Sequence, residues 1–349
     1  MVWPYLSHPP WYHPSKTKED AMNMDQFRKK FEDEVACRQF FESVLWRHGR
    51  YCPHCFCSKS YNLTGKSART GLYECAHCKR QFTVTTKTPM HSTKLPLWKW
   101  LLAMYYIINS SKGVSSVYLG KWVGISQKSA WKLGHAVRKM MDPGSELVPA
   151  LQGIVELDEK YIGGKPRYEQ GIIHKRGRGT EKQWVFVAVE RNGPVRAVPV
   201  KSDKLADLLP HINRFVDKKS HLMTDQLQTY RTVGKTFASH NWVNHGQKEF
   251  SRGNTHNNTA ESFNASLERV KLGVFHYMSK KHLARYLHEI CFRWNHRIPD
   301  LKINKAGELK IVMKPMSVIG MLRSLLSKAS GRQVRRTKCG GIRNLNWAI

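Results

Sequence analysis

No stretch of this 349-residue sequence is apolar for long enough to cross a membrane. The longest run, Trp98 to Ile108, is broken by Lys99 and falls far short of the roughly 20 residues a spanning helix needs. The N-terminus carries Trp3, Tyr5, Trp11 and Tyr12 among prolines and lacks the charged-then-apolar pattern of a signal peptide. A cytoplasmic, nucleoid-associated protein is therefore expected. Eight cysteines in so long a chain are too few for a dense disulfide framework, which fits a reducing compartment. Internal repeats are absent. Acidic residues are scarce: 26 Asp and Glu face 58 Lys and Arg, giving a net charge of +32 and a sequence pI of about 10.0. That imbalance excludes an ordinary near-neutral enzyme and points to a polyanion, with nucleic acid the default because phosphate neutralisation releases counterions. Apolar residues make up 41% of the chain, too many for a disordered basic tail.

Periodicity divides the chain. Residues 1–47 read as an extended leader followed by one helix, Asp25 to Arg47, with Phe27, Phe31, Val35, Phe40 and Leu45 at helical spacing. A cysteine-rich module (48–92) follows, then a helical region (93–145) with helices near 95–109, 115–123 and 126–141. From 146 to 300 strand patterns appear at 153–158, 184–190, 195–200, 221–225 and 242–244. A helix is expected at 205–216, and helices dominate from 258 to 297. This order predicts a multi-domain α/β protein whose third domain is a mixed sheet with helices on its faces. Residues 301–349 read as a basic tail.

Cys52-Pro-His-Cys55 and Cys75-Ala-His-Cys78 are two C-x-x-C knuckles with 19 residues between them. Each knuckle presents two thiolates to one ion, and two knuckles close a tetrahedral Zn²⁺ site with no open position, so the zinc is structural. Downstream, Gly124 and Ser126 separate two short helical patterns in the manner of a helix-turn-helix, Ser126 capping the second. That second helix is expected to offer Lys128, Lys132, His135 and Arg138 to DNA. The loops Gly163–Arg167 and His174–Gly179 add Lys165, Arg167, Lys175, Arg176 and Arg178 as basic candidates.

Two aspartates, Asp158 and Asp225, end strand patterns, where a carboxylate is held rigidly. Glu261 opens a helix, with 35 residues separating it from Asp225. Three such carboxylates can hold two Mg²⁺ or Mn²⁺ ions, a pair suited to hydrolysis or transfer at a phosphodiester. Glu156 and Glu159 flank Asp158 and are expected on the opposite face of its strand. Asn258 and Glu261 also read as a capping box, a bland alternative for that glutamate. His245 is a candidate for orienting a phosphate or lying beside the metals.

Leu157-Asp-Glu-Lys-Tyr-Ile-Gly-Gly-Lys165, Val243-Asn-His245, Asn258-Thr-Ala-Glu261, Gly273-Val-Phe-His276, Ser279-Lys-Lys-His-Leu283 and Phe292-Arg-Trp-Asn295 together resemble the bacterial insertion-sequence DDE transposases of family fifteen-ninety-five. The resemblance covers roughly residues 30 to 300. It implies an N-terminal zinc ribbon, an RNase H-like catalytic domain, and Asp158, Asp225 and Glu261 as catalytic metal ligands. Some relatives have asparagine third, which brings in Asn258 and Asn264. Many carry a lysine seven residues after the glutamate; here Glu268 stands there, leaving Arg269 and Lys271 as candidate DNA contacts. The implied activity is binding of terminal inverted repeats in double-stranded DNA, cleavage at the ends and joining to target DNA, by a homodimer or higher oligomer. The alternatives are a zinc-ribbon regulator with inert carboxylates, and a nuclease or resolvase that cuts without joining.

Overall fold

The computed structural model describes residues 22–65, 68–144, 148–163, 170–171, 182–247, 249–304, 307–336 and 342–344. Lys165, Arg167, Lys175, Arg176 and Arg178 lie outside them. The chain forms two compact units, one taking in the described residues up to Ser110, Ser116–Met141 and those from Met316 onward, the other Ser111–Ser115 and Asp142–Pro315. No helix among the described residues is long and apolar enough to cross a membrane.

In the first unit, the single helix expected at 25–47 is two: α1 (Met24–Lys30) and α2 (Glu34–Leu45). The break has a local cause. Asp33 takes an extended backbone and accepts the N–H of Ala36 at 2.7 Å, so it starts a new helix instead of continuing the old one. Strands β1 (Ser60–Asn62), β2 (Tyr73–Cys75) and β3 (Gln81–Phe82) form an antiparallel ribbon. Helix α3 (Leu97–Asn109) buries Trp100, Leu101, Met104, Ile107 and Ile108. Helices α4 (Ser116–Val123) and α5 (Gln127–Met140) are joined by a turn at Gly124, whose φ of +66° suits glycine. Ser126 caps α5 by accepting the N–H of Ser129 at 3.3 Å.

The second unit is built on a five-stranded sheet in the order β6-β5-β4-β7-β8, with β4 (Ile154–Ile162), β5 (Gln183–Glu190), β6 (Val195–Val200), β7 (His221–Thr224) and β8 (Ser239–Trp242). β4, β5 and β6 pair antiparallel, whereas β7 and β8 run parallel to β4. Helices α6 (Leu205–Phe215) and α7 (Gln228–Gly234) cover one face, where Val155, Leu157, Phe186 and Ala188 meet Leu208, Ile212 and Tyr230. A two-residue pair, β9 (Ser251–Arg252) and β10 (Thr255–His256), leads into α8 (Asn258–Val270). With α9 (Leu283–Asn295), α8 covers the other face over Val185, Val187, Val189, Val195 and Ala197. Each strand's alternation thus feeds two cores, and the central β4 is covered on both faces.

The segment read as a basic tail contains regular structure. β11 (Arg297–Ile303) and β12 (Leu309–Pro315) form a hairpin in the second unit. α10 (Val318–Ser327) belongs to the first, packing on α2, α3 and α5 with Leu322, Leu325 and Leu326 fully buried.

Candidate active site and metal centre

The four cysteines converge. Cys52 and Cys78 Sγ lie 3.7 Å apart and Cys55 and Cys75 Sγ 3.5 Å apart, and all four sulfurs fall within 4.8 Å of one another. A ZnS₄ tetrahedron with bonds of about 2.3 Å has edges of about 3.8 Å, so the quartet fits Zn²⁺ as it stands. Backbone N–H groups of Cys78 and His77 lower the Cys75 thiol to about 6, while burial pushes Cys52 up to about 12. Cys57 is a bystander, its Sγ 3.7 Å from the Lys59 carbonyl oxygen. The ribbon's own core is Cys52, Cys75 and Phe82 with Trp46 and Tyr73 against it, too small to order the segment without an ion. Metal analysis of the purified protein should find one zinc per chain. Cys75→Ser should lose it and expose the ribbon to proteolysis; well-folded wild type without zinc would rule out the site.

The turn between α4 and α5 exposes Lys121, Lys128, Ser129 and Lys132. Arg138 and His135 do not share that surface: they are 4% and 0% exposed. The expectation that they face DNA is overturned. Ala130, Leu133, Gly134, Ala136, Val137 and Met140 are all buried, because α3, α4 and α10 pack on α5 and leave only Lys139 of its last two turns partly exposed.

In the second unit Asp158 sits on β4, on the side covered by α8. The register of β4 with β7 sets Glu156 opposite Met223. The ladder stops there, and Asp225 follows just past the end of β7, at the same end of the sheet as Asp158 and near enough for its charge to act on it. From the helix, Asn264 donates its Nδ2–H to Asp158 Oδ2 at 2.7 Å, and the N–H of Glu159 donates to Oδ1 at 2.9 Å. Glu261 lies one turn before Asn264, on the same face of α8. Burial pushes Asp158 up to about 6. The hydrogen bonds from Glu159 and Asn264 oppose this, and the charges of Asp225 and Glu261 add to it. The three carboxylates therefore share one electrostatic neighbourhood that a cation would relieve. Asn264 Oδ1 is a further buried oxygen without a partner among the described residues. The donor set suits Mg²⁺, which favours carboxylate and amide oxygens. Among the described residues only the cysteine quartet gathers within 4.8 Å, however, and the three carboxylates are more open.

Two expectations fail here. Glu156 lies on the same face as Asp158, not the opposite one, since residues two apart on a strand share a face; only Glu159 lies across, where it accepts from Tyr230 Oη. And Asn258 is not the helix cap. Asn257 holds that position, its buried side chain donating to the Leu157 carbonyl at 3.2 Å, while Asn258 is exposed. The orphan amides are met by Glu156: the N–H groups of Thr259 and Ala260 donate to its Oε2 at 2.7 and 3.0 Å, and Thr259 Oγ1 donates to Oε1 at 3.1 Å. Arg191 Nε completes the set at 2.6 Å from Oε1. Arg191 also reaches Asn254 and His256, tying down the β9–β10 turn. Burial and then the Arg191 charge lower His256, whose Nδ1 lies 3.5 Å from Glu156 Oε1. Sequence reasoning missed this clamp; counting by twos from Asp158 signals it.

Of the remaining candidates, Arg269 is exposed and bonds Ser266, whereas Lys271 pairs with Glu268 at 2.9 Å. His245 begins a short 3₁₀ turn, and its side chain lies outside the described residues.

Comparison with known proteins agrees with this layout. Residues 150–295 match the ISXO2-like transposase domain and residues 32–81 the transposase zinc-ribbon domain. A protein of Halobacterium salinarum, described as an uncharacterized protein in transposable element ISH50, is 28% identical over 272 residues, covering 74% of this chain and 90% of that protein. Among solved structures, a chain of a simian T-cell lymphotropic virus intasome in complex with PP2A regulatory subunit B56 gamma matches at 14% identity and a TM-score of 0.28, covering 67% of this chain and 92% of that one. A chain of the pre-cleavage Mos1 transpososome matches at 14% identity and 0.21, covering 55% and 75%. These scores lie below those that establish a shared fold. With a transposase zinc ribbon ahead of an ISXO2-like transposase domain, the chain belongs to the insertion-sequence transposases that combine the two.

Proposed function

We propose that this chain is a metal-dependent DDE transposase that binds the ends of its element, cuts the DNA there and joins the freed 3′-hydroxyl to target DNA. The carrying observation is the Asp158 carboxylate on the central strand, gripped by Asn264 from α8, with the charges of Asp225, just past β7, and of Glu261, one turn before Asn264, acting on it. The strand order, three antiparallel strands and two parallel ones with helices on both faces, supports reading 146–300 as an RNase H-like domain. The zinc ribbon (48–92) and the α4–α5 pair, read as a helix-turn-helix within 93–145, supply end recognition, with Lys128 and Lys132 on phosphates.

Asp158, Asp225 and Glu261 would hold two Mg²⁺ or Mn²⁺ ions, which when bound supply charge stabilisation for in-line displacement at phosphorus. Asn264 orients Asp158, and the Glu156 clamp fixes the helix end that carries Glu261. In the first step a water oxygen bonds to phosphorus and the P–O3′ bond breaks, its electron pair leaving on the 3′-oxygen, which takes a proton. In the second that hydroxyl's oxygen bonds to a target phosphorus as the target's own P–O3′ bond breaks, the electron pair leaving on that 3′-oxygen, which takes up the proton the hydroxyl gives up.

The test is a labelled duplex carrying the element's terminal repeat, incubated with zinc-loaded protein with and without Mg²⁺ and resolved on a denaturing gel. Mg²⁺-dependent cleavage together with products longer than the substrate is the expected result. Binding with no cleavage in either Mg²⁺ or Mn²⁺ would favour a zinc-ribbon regulator, and cleavage that never yields joined products a nuclease or resolvase. Binding should also weaken steeply with salt.

A further inference from the structure

Asp225 is held at two points, and one of the two holds reaches it from the face of the sheet opposite the carboxylates. The paired residues of β7 end with Thr224 opposite Trp242, so Asp225 stands past the ladder. Its carboxylate is fixed locally: Oδ1 accepts the N–H of Leu227 at 2.9 Å, a turn that aspartate favours. Its carbonyl is fixed by a side chain, since Thr224 Oγ1 donates to it at 2.7 Å. Thr224 comes two residues after Leu222 and shares its face, the one covered by α6 and α7, whereas Asp158 is on the α8 side. His240 pairs with Leu222 across β7 and β8 and lies on that same face, where its Nε2 is 2.9 Å from Thr224 Oγ1. A hydroxyl carries one proton. Thr224 gives its proton to the Asp225 carbonyl, so both bonds are made only when His240 bears N–H at Nε2 and donates. Thr224 is 1% exposed, and water does not compete for its hydroxyl. The ring owes its place to Gly234, the last residue of α7. A Cβ added there would stand 2.3 Å from the ring's Cγ and Nδ1.

We propose that His240 and Thr224 are positioning residues for Asp225. A relay from His240 Nε2–H through the Thr224 hydroxyl to the Asp225 carbonyl sets the backbone from which the carboxylate projects. The inference rests on the reading of Asp225 as a metal ligand. With its carbonyl pinned from behind the sheet and Oδ1 pinned by Leu227, neither the backbone nor the side-chain torsion drifts, which leaves Oδ2 for a cation. Each strand-borne carboxylate then has its own support: Asn264 for Asp158, and the relay for Asp225. Removing a group that orients a metal ligand through hydrogen bonds typically costs about 10–100-fold in metal affinity.

The test reads metal binding directly, in zinc-loaded full-length protein without DNA. Mn²⁺ is titrated and followed by electron paramagnetic resonance. Thr224→Val, which keeps the shape and loses the hydroxyl, should raise the Mn²⁺ midpoint roughly tenfold or more, and Thr224→Ser, which keeps the hydroxyl, only about twofold. His240→Asn, too short to reach Thr224, should also weaken binding, and His240→Gln, whose amide nitrogen can reach, should restore most of it. Gly234→Ala, which crowds the ring, should resemble His240→Asn. General loosening of the fold would not separate Val from Ser or Asn from Gln. In metal-free wild type, nitrogen NMR of the histidines, with the His240 signal identified by its loss in His240→Gln, should place the proton on Nε2. A proton on Nδ1 alone overturns the relay, and so does a Thr224→Val or His240→Asn protein with the wild-type Mn²⁺ midpoint. Should Thr224→Val melt below the working temperature, the His240 pair and the wild-type tautomer still decide. Asp225→Asn separates the two levels of the argument. If it loses Mn²⁺ while Thr224→Val keeps the wild-type midpoint, Asp225 is a ligand and only the relay fails. If it binds Mn²⁺ as wild type does, the ligand reading fails and takes the relay with it.

Discussion

Asp158→Asn should abolish Mg²⁺-dependent cleavage, by a factor on the order of 10³ or more, and at the same time make the magnesium-free protein more stable above pH 6. The two effects come from one cause. Burial, seconded by the charges of Asp225 and Glu261, pushes Asp158 up to about 6 against an ordinary aspartate value near 4. A raised folded pKa means that the folded state holds its proton more tightly than the unfolded one. Below about pH 4 both states are protonated and Asp158 costs nothing; between about pH 4 and 6 the unfolded chain ionises first and stability falls; above 6 the full cost is present. Two units correspond to about 3 kcal/mol, which partial exposure of the carboxylate reduces to about 1–2 kcal/mol. Asparagine keeps the shape, can still accept from Asn264 and removes the charge. Denaturant titrations in magnesium-free buffer from pH 4 to 8 should show the variant gaining on wild type through that window, while duplex binding is kept or improved. Mg²⁺ should stabilise wild type and not the variant. Parallel stability curves across the window, or near-wild-type cleavage by the variant, would remove Asp158 from the proposed site.

Much of this site was legible because its parts are periodic. Alternation located β4, the short run His221–Thr224 located β7, and the helical pattern after Asn257 located α8, so Asp158, Asp225 and Glu261 could be placed on elements before any coordinates. What periodicity does not carry is burial on the far side of an element. α5 has cations at helical spacing, but its neighbours surround it, and Arg138 is consumed by the interior. α10 follows a hairpin inside a stretch dominated by lysine and arginine, and its short apolar run is outweighed in any compositional reading. The cap of α8 comes from a residue about a hundred positions upstream, so a local motif such as Asn258 with Glu261 describes the wrong partner.

That distant cap leads to the second large effect. Glu156→Ala should cost about 2–4 kcal/mol, because it takes the carboxylate from the partly buried Arg191 guanidinium and leaves the amides of Thr259 and Ala260 without an acceptor. For a unit of this size that corresponds to a melting shift of about 10 °C. Arg191→Ala should cost less: the carboxylate would keep its two amide donors and the favourable end of the helix dipole. Glu156→Gln should fall between, since one of its two oxygens becomes a donor facing donors. The functional consequence follows from where the clamp acts. The first turn of α8 carries Glu261, and Asn264 grips Asp158 one turn further on. Loosening that turn should therefore raise the Mg²⁺ concentration needed for half-maximal cleavage, several-fold in Glu156→Gln, beyond any loss of maximal rate. Instability alone lowers the active fraction without moving that midpoint, so the two readouts separate positioning from folding. A Glu156→Gln protein assayed well below its melting temperature with an unchanged Mg²⁺ midpoint would limit Glu156 to a structural role. A Glu156→Ala protein melting within a degree or two of wild type would deny it even that.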